Sequence, residues 1–261
     1  MNVVAMADNC IDVYFDKGRF YPTGNSVDFA INFRQMGGTV TEMTVLGNDI
    51  FAEAVSSRLE EEGVSLHVIS RVDKPTAVAK MAMANGDRQH LEFRGNALEE
   101  ISLSAEDIDY LKKFDIVYAE RWANIGKILP SAKQPGQIWI FDFSKRLEED
   151  SNNAILPYID YAFFSYERDD EYIRDFLIGC TEKGAHCAIA MLGKNGSLAY
   201  DGKNFYGESS DNVKVVNTVG AGDSYIAGFT YGITKGDSVQ DCMRRGKAQA
   251  TKVVQLFDPY E

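Results

Sequence analysis

Cysteine and histidine are scarce in this chain. The four cysteines, Cys10, Cys180, Cys187 and Cys242, form no Cys-x-x-Cys pair and no disulfide framework, and the three histidines, His67, His90 and His186, are scattered. This usage speaks against a His/Cys metal centre and fits free thiols in the cytoplasm. Basic residues are outnumbered: 27 Lys and Arg stand against 39 Asp and Glu, a formal net charge of −12. An acidic surface argues against general binding to nucleic acid or anionic membranes, which reward basic patches. It does not forbid an anionic ligand in a locally positive pocket. No apolar run approaches the roughly 20 residues needed to cross a bilayer. Met1 leads into Val3-Val4-Ala5-Met6-Ala7, which reads as a buried strand rather than as a secretory leader.

What is present is ordinary globular composition, 45% hydrophobic and 25% charged over 261 residues, enough for a large core. Strands and helices alternate. Residues 2–7 read as a strand, 25–36 as a helix stopped by Gly37-Gly38, 40–46 as a strand, and 51–62 as a helix ending at Gly63. Further on, 105–113 reads as a helix and 115–119, 137–143, 161–165, 187–192 and 213–216 as strands. A hairpin is expected over 197–206, and helices over 223–234 and 239–256. Such alternation implies an α/β fold, a mostly parallel sheet covered on both faces. Two hairpins depart from that plan, at 12–20 around Lys17-Gly18 and at 76–94 around Asn85-Gly86. They read as a small β flap, or lid, beside the main sheet of a single domain spanning 1–261.

The stretch that carries chemistry is Asn217-Thr-Val-Gly220-Ala221-Gly222-Asp223, leading into an apolar helix. Gly220, Ala221 and Gly222 would leave backbone N–H groups open at a helix N-terminus, where orphan donors and the helix dipole favour an anion. Asp223 falls in the first turn, placed to accept a proton from a hydroxyl while the amides hold a transferring phosphoryl group. The bland alternative is a capped helix, since Asp and Gly are common in such turns. A dinucleotide fingerprint fails because Tyr225 holds the third glycine's place, and no Gly-x-x-x-x-Gly-Lys-Ser/Thr loop occurs.

With these residues in view, the chain resembles the PfkB/ribokinase family of carbohydrate kinases. The family's C-terminal signature, Asp-Thr-x-Gly-Ala-Gly-Asp, is matched by 217–223 except at Asn217. Thr23-Gly24-Asn25-Ser26-Val27-Asp28-Phe29-Ala30 is similar to the N-terminal signature Gly-Gly-Asn-x-x-Asn-x-Ala. Segments 7–12, 46–49 with 63–64, and 192–196 match further family segments in order. The start at Asp8-Asn-Cys-Ile-Asp-Val-Tyr14 and the run Phe141-Asp-Phe-Ser144 look like the fructoselysine 6-kinases within the family. The resemblance implies a ribokinase-like three-layer αβα sandwich and phosphorylation of a sugar hydroxyl by ATP with Mg2+. A monovalent cation is an option, and the acceptor would be a fructosamine such as fructoselysine.

The resemblance also implies roles. Asp223 would be the catalytic base, with the amides around Gly220, Ala221 and Gly222 holding charge. Asp12 would bind sugar hydroxyls, Gly24 would let the sugar approach the backbone, and Asn25 and Asp28 would face the same pocket. Gly193, Asn195 and Gly196 would border the nucleotide, as would Gly220 and Gly222. Arg121 follows a strand's carboxyl end, where α/β ligands sit, and would pair with a substrate carboxylate; its bland reading is a surface arginine. Departures stand at Thr23, Asp28 and Asn217, and Ser165 and Arg168 occupy an eroded Asn-x-x-Glu segment linked to the metal. Asp28 adds a charge suited to an aminated sugar. Other readings are a kinase for a simple ketose or nucleoside, a non-catalytic sugar or nucleotide sensor, and a nucleotide-binding oxidoreductase. Family members often pair through the flap, so the resemblance allows a homodimer.

Overall fold

Runs such as Val3-Val4-Ala5-Met6-Ala7 lack polar alternation, so a strand built from them must be covered on both faces. The computed structural model, which describes residues 1–84 and 87–260, does this with one large sheet. Its strands are β1 (Val3–Ala7), β4 (Val40–Leu46), β5 (Ser65–Arg71), β8 (Ile116–Glu120), β9 (Ile138–Asp142), β10 (Tyr161–Ser165), β11 (Cys187–Met191), β12 (Ser197–Tyr200) and β13 (Phe205–Glu208). Their order is β13-β12-β11-β10-β9-β8-β1-β4-β5. Pairing is parallel from β5 through to β11, and β12 and β13 add an antiparallel edge.

The two faces carry separate cores. On one, Val27, Phe29 and Phe33 of α1 (Asn25–Gln35), Ala52, Val55 and Leu59 of α2 (Ile50–Glu61), Ile226 and Phe229 of α7 (Ala221–Lys235) and Met243 of α8 (Val239–Val253) pack on Val3, Ala5, Tyr118 and Phe163. On the other, Leu111 of α3 (Ala105–Leu111), Leu129 of α4 (Leu129–Ala132), Ile173 and Leu177 of α6 (Glu171–Glu182) and Leu156 beside α5 (Asn152–Ile155) pack on Val4, Met6, Val117 and Trp139. Alternate side chains of the same strand thus serve opposite layers, and the result is an αβα sandwich with a mostly parallel centre.

A second sheet of order β3-β2-β6-β7 stands apart. It is built from β2 (Cys10–Tyr14), β3 (Arg19–Thr23), β6 (Ala77–Ala84) and β7 (Asp87–Arg94). Gly18 makes the turn between β2 and β3 with φ 58°. The Asn85-Gly86 turn expected between β6 and β7 lies outside the described residues.

Three differences from the sequence reading have physical causes. Residues 213–216 form no strand: Val215 is 51% exposed, and Val216 donates its N–H to the carbonyl of Val254 at 2.7 Å rather than to a ladder. β-branched composition favours a strand only where a sheet edge is at hand. The edge strand β5 was not expected, because its half-exposed residues break the apolar run. Helix α6 was also not expected, although Ile173, Leu177 and Cys180 recur at helical spacing and the Asp170 side chain accepts the N–H of Ile173 at 3.0 Å.

The segment after α8 folds back across the molecule. Asn217 Nδ2 donates to the Phe257 carbonyl (2.7 Å), Asn32 Nδ2 to that of Pro259 (3.1 Å) and Gln35 Nε2 to that of Tyr260 (2.9 Å). The Tyr260 hydroxyl donates to the Pro22 carbonyl on β3, and Arg19 pairs with Asp258 at 3.0 Å.

Candidate active site

In a parallel sheet every strand delivers its last residue to the same edge, and ligands of such sheets bind there. Three neighbouring strands here end in acids. Asp8 follows β1, Glu120 closes β8 and Asp142 closes β9, with Glu120 and Asp142 in register. The chain turns sharply at that edge, and Ala7 and Ser144 hold positive φ values of 116° and 53°. Such backbone gathers where a site is being shaped. All three acids are buried. Burial lifts the Asp142 carboxyl to about 6 against the hydrogen bonds of Ser144, and it lifts Asp8 to about 6 against the Asn25 amide and the Arg121 charge. Burial and the Asp8 charge push Glu120 well above the carboxylate range.

Above this edge lies a cavity of about 620 Å3. Asp8 and the Gly24-Asn25 turn form part of its wall, Asp12, Ala79, His90 and Phe93 enter from the flap, and Gly220 and Asp223 come from the start of α7. Asp28 of α1 and Arg121 with Trp122 complete it, beside Cys10, Thr23, Ser144 and Val219. Gly24 holds φ 128°, and a Cβ there would stand 2.2 Å from the Asp8 carbonyl oxygen, so the close approach of β1 to α1 requires glycine. The Asp8 carboxylate accepts the Asn25 N–H at 3.3 Å. The Asn25 side chain hydrogen-bonds Asp142. Asp12 sits inside β2 and accepts the Tyr21 hydroxyl at 3.5 Å. Arg121 is exposed at the rim, its guanidinium 4.9 Å from the Trp122 ring centre.

The glycine-rich turn is built as its sequence suggests, with one qualification. Gly220 caps α7 at φ 69°, and Asp223 falls in the first turn, its Oδ1 accepting the Tyr118 hydroxyl at 3.5 Å. The Ala221 N–H, however, donates to the Thr218 carbonyl at 3.3 Å, so it is spent within the turn. Asn217 also gains a reason. Its Oδ1 accepts the Val219 N–H at 3.1 Å while its Nδ2 donates to the Phe257 carbonyl. An aspartate could do only the first.

Seven expected residues therefore meet on one cavity: Asp12, Gly24, Asn25, Asp28, Arg121, Gly220 and Asp223. Gly193, Asn195 and Gly196 do not line it. They form the turn between β11 and β12, beside a groove of about 430 Å3 lined by Lys145, Ser165, Tyr166, Glu167 and Arg168 among others. Asn195 Nδ2 ties this turn to the Glu167 carbonyl at 2.6 Å. Gly222 faces the same strand end, since a Cβ there would meet Met191 at 3.5 Å. Gly193 has open space around it, whereas a Cβ at Gly196 would stand 2.0 Å from the Glu208 carbonyl oxygen. Gly196 thus serves hairpin packing in the first place. Asp169 pairs with Arg174 and Asp170 caps α6. Magnesium keeps most of its waters and is held by phosphates with one or two carboxylates. A groove offering Glu148 and Glu167 beside Lys145 fits an ion carried in on phosphate.

Sequence reasoning did not single out Asp8 or Asp142 as site residues, although each is an acid directly after an apolar strand run. Glu42 gave no signal at all. It lies mid-strand in β4, fully buried, with one carboxyl oxygen accepting the Ser26 hydroxyl at 2.6 Å.

Comparison with known proteins agrees with this fold. Residues 1–260 match the model of the pfkB family carbohydrate kinases. The chain is 30% identical over 253 residues to a fructoselysine 6-kinase of Escherichia coli (strain K12), covering 97% of each. It is 24% identical over 266 residues to a fructosamine kinase of Bacillus subtilis (strain 168), covering 100% of this chain and 93% of the relative. Among solved structures, a ribokinase of Arabidopsis thaliana complexed with ribose and ATP superposes with TM-score 0.82 at 20% identity, over 99% of this chain and 93% of that one. An adenosine kinase of Sinorhizobium meliloti reaches TM-score 0.86 at 18% identity, over 100% and 95%. Family model, relatives and fold converge, and the chain belongs to the pfkB family of carbohydrate kinases.

Proposed function

We propose that this sugar kinase transfers the γ-phosphate of ATP to a hydroxyl of a fructosamine such as fructoselysine, giving the 6-phosphate. The observation that carries the reading is the meeting of Asp12, Asp28, Gly24 and Asp223 on one cavity beside the Gly220 turn. The 30% identity to a fructoselysine 6-kinase over nearly the whole chain supports the acceptor class.

The sugar binds between Asp12, Asn25 and the Gly24 backbone, while the flap residues His90 and Phe93 cover it and exclude water. Arg121 at the rim pairs with the carboxylate of the amino-acid portion. ATP lies along the groove beside Gly193, Asn195 and Gly196 and reaches the cavity over Gly222. Glu148 and Glu167 of that groove would hold magnesium carried in with the nucleotide, which would neutralise phosphate charge there. Asp223 takes the hydroxyl proton as that oxygen bonds to the γ-phosphorus and the bond to the β-phosphate oxygen breaks, releasing ADP. The N-terminal amides of α7 and its dipole stabilise the charge on the moving phosphoryl group.

The test is ADP release from magnesium-ATP across fructoselysine, other fructosamines, fructose, ribose and nucleosides, with Asp223→Asn run in parallel. General-base catalysis contributes roughly 10²–10⁴-fold, so the variant is expected to lose at least about a hundredfold in kcat at unchanged thermal stability. Turnover confined to fructose or a nucleoside would discard the fructosamine assignment. Full activity in the variant would remove Asp223 from the mechanism.

A further inference from the structure

Two departures from the N-terminal signature, Thr23 for glycine and Asp28 for asparagine, touch each other. The Thr23 hydroxyl lies 2.8 Å from Oδ2 and 3.0 Å from Oδ1 of Asp28 and donates to that carboxyl. A glycine at 23 has no such donor, so the two changes form one unit. Asp28 is only 2% exposed, and it lines the substrate cavity.

Its position raises a charge problem. A Cβ placed on Gly220 would stand 3.1 Å from Asp28 Oδ2, so the carboxyl lies against the turn that opens α7. An ionised Asp28 therefore stands beside the place where a phosphoryl group would build negative charge. Asp8, Asp12 and Asp223 line the same cavity, against Arg121 at the rim and His90 on the flap. Burial and the neighbouring Asp223 charge both push the Asp28 carboxyl up, with Asp12 and Asp8 adding to the push, while the Thr23 hydrogen bond opposes it. Something in the working complex must supply positive charge at this wall.

A proton on Asp28 is one solution and a cationic substrate is the other. Two features favour the cation. Thr23 spends its hydrogen on Asp28, a bond that favours the ionised form. Asp8 is also held at the same turn, with its Oδ2 on the Asn25 N–H, while its buried Oδ1 has no hydrogen-bond partner among the described residues. The Asp28 N–H donates to the Gly24 carbonyl at 2.8 Å, so Asp28 follows one helical turn after the Gly24-Asn25 turn that holds Asp8.

We infer that Asp28, fixed by Thr23 and backed by Asp8, receives the ammonium nitrogen of an amine-bearing sugar and is a specificity-determining residue of this enzyme. The inference rests on the kinase reading above. It assigns recognition of the amine, whatever group that amine carries, to one residue of the cavity wall.

The experiment compares kcat/KM for 1-amino-1-deoxyfructose and for fructose near neutral pH in three proteins: the native chain, Asp28→Asn, and the double variant Thr23→Gly/Asp28→Asn. The double variant restores both signature residues and carries the test if the single one does not fold. The native enzyme is expected to prefer the amine at least tenfold. Both variants are expected to reduce that ratio by roughly tenfold to a hundredfold, the worth of a charged hydrogen bond. Where turnover is too slow, ligand-induced thermal stabilisation by the two sugars gives the same comparison. An equal ratio in all three proteins, or no native preference for the amine, overturns the inference. Fructoselysine, run alongside, separates the two proposals. Preference for the simple amine that falls in the variants, without fructoselysine turnover, would sink fructoselysine as the acceptor and leave Asp28 its role. Fructoselysine turnover with an unchanged ratio would do the reverse.

Discussion

Asp142 offers a quantitative test of the buried acids beneath the cavity. It closes β9 at 3% exposure, and its Oδ1 accepts the Ser144 N–H at 2.7 Å. Burial nonetheless lifts it from 3.8 to about 6. The folded chain therefore holds this proton more tightly than the unfolded chain does. The stabilisation is fully present below the unfolded pKa of about 4 and is lost as pH rises through about 6. A difference of about two pH units is worth about 3 kcal/mol at ~1.4 kcal/mol per unit. For a chain of this size that is about 6–12 °C in Tm, at ~2–4 °C per kcal/mol. Asp142→Asn keeps the shape and removes the titration. The Tm of the variant minus that of the native protein should therefore become more positive by about that amount between pH 4 and pH 7. Thermal unfolding of the ligand-free protein across that range reads the difference directly. Asp8, also lifted to about 6, is present in both proteins and largely cancels. Parallel Tm curves for the two proteins would refute the argument, because they would mean that Asp142 ionises as easily folded as unfolded.

Asn217→Asp restores the family's signature residue and is expected to destabilise by about 1–3 kcal/mol in urea unfolding. It removes the donor to the Phe257 carbonyl and leaves two buried acceptors facing each other; a neutral outcome would mean that the segment after α8 can shift away. Gly24→Ala is expected to cost more than about 2 kcal/mol and to impair sugar binding, because the added methyl meets the Asp8 carbonyl and the backbone φ is 128°. Thermal unfolding and KM measured on the same preparation check both effects, and native-like values would show that β1 and α1 can separate at no cost.

Much of this architecture was legible because central strands such as β1, β4 and β10 are apolar runs and most helices carry an apolar stripe. The run over 161–165 and the run over 40–46 match β10 and β4 end to end. What failed was local. Val213-Lys-Val-Val216 has the composition of a strand but no open ladder beside it, and α6 presents only three buried positions, few against which to recognise a helix. The site divides the same way. Asp12, Asp28 and Asp223 stand in motifs whose spacing survives in one chain. Asp8 and Asp142 needed the sheet order, because only the adjacency of β1, β8 and β9 turns acids more than a hundred residues apart into neighbours. Glu42 could not be read at all, since its one described hydrogen-bond partner, Ser26, lies on another element.

The segment from Phe257 to Tyr260 joins the flap strand β3, helix α1 and the residues before the Gly220 turn. It is translated after everything it fastens. A chain deprived of residues 257–260 would keep most of the core yet lose the ties that hold β3, α1 and Asn217 around the cavity.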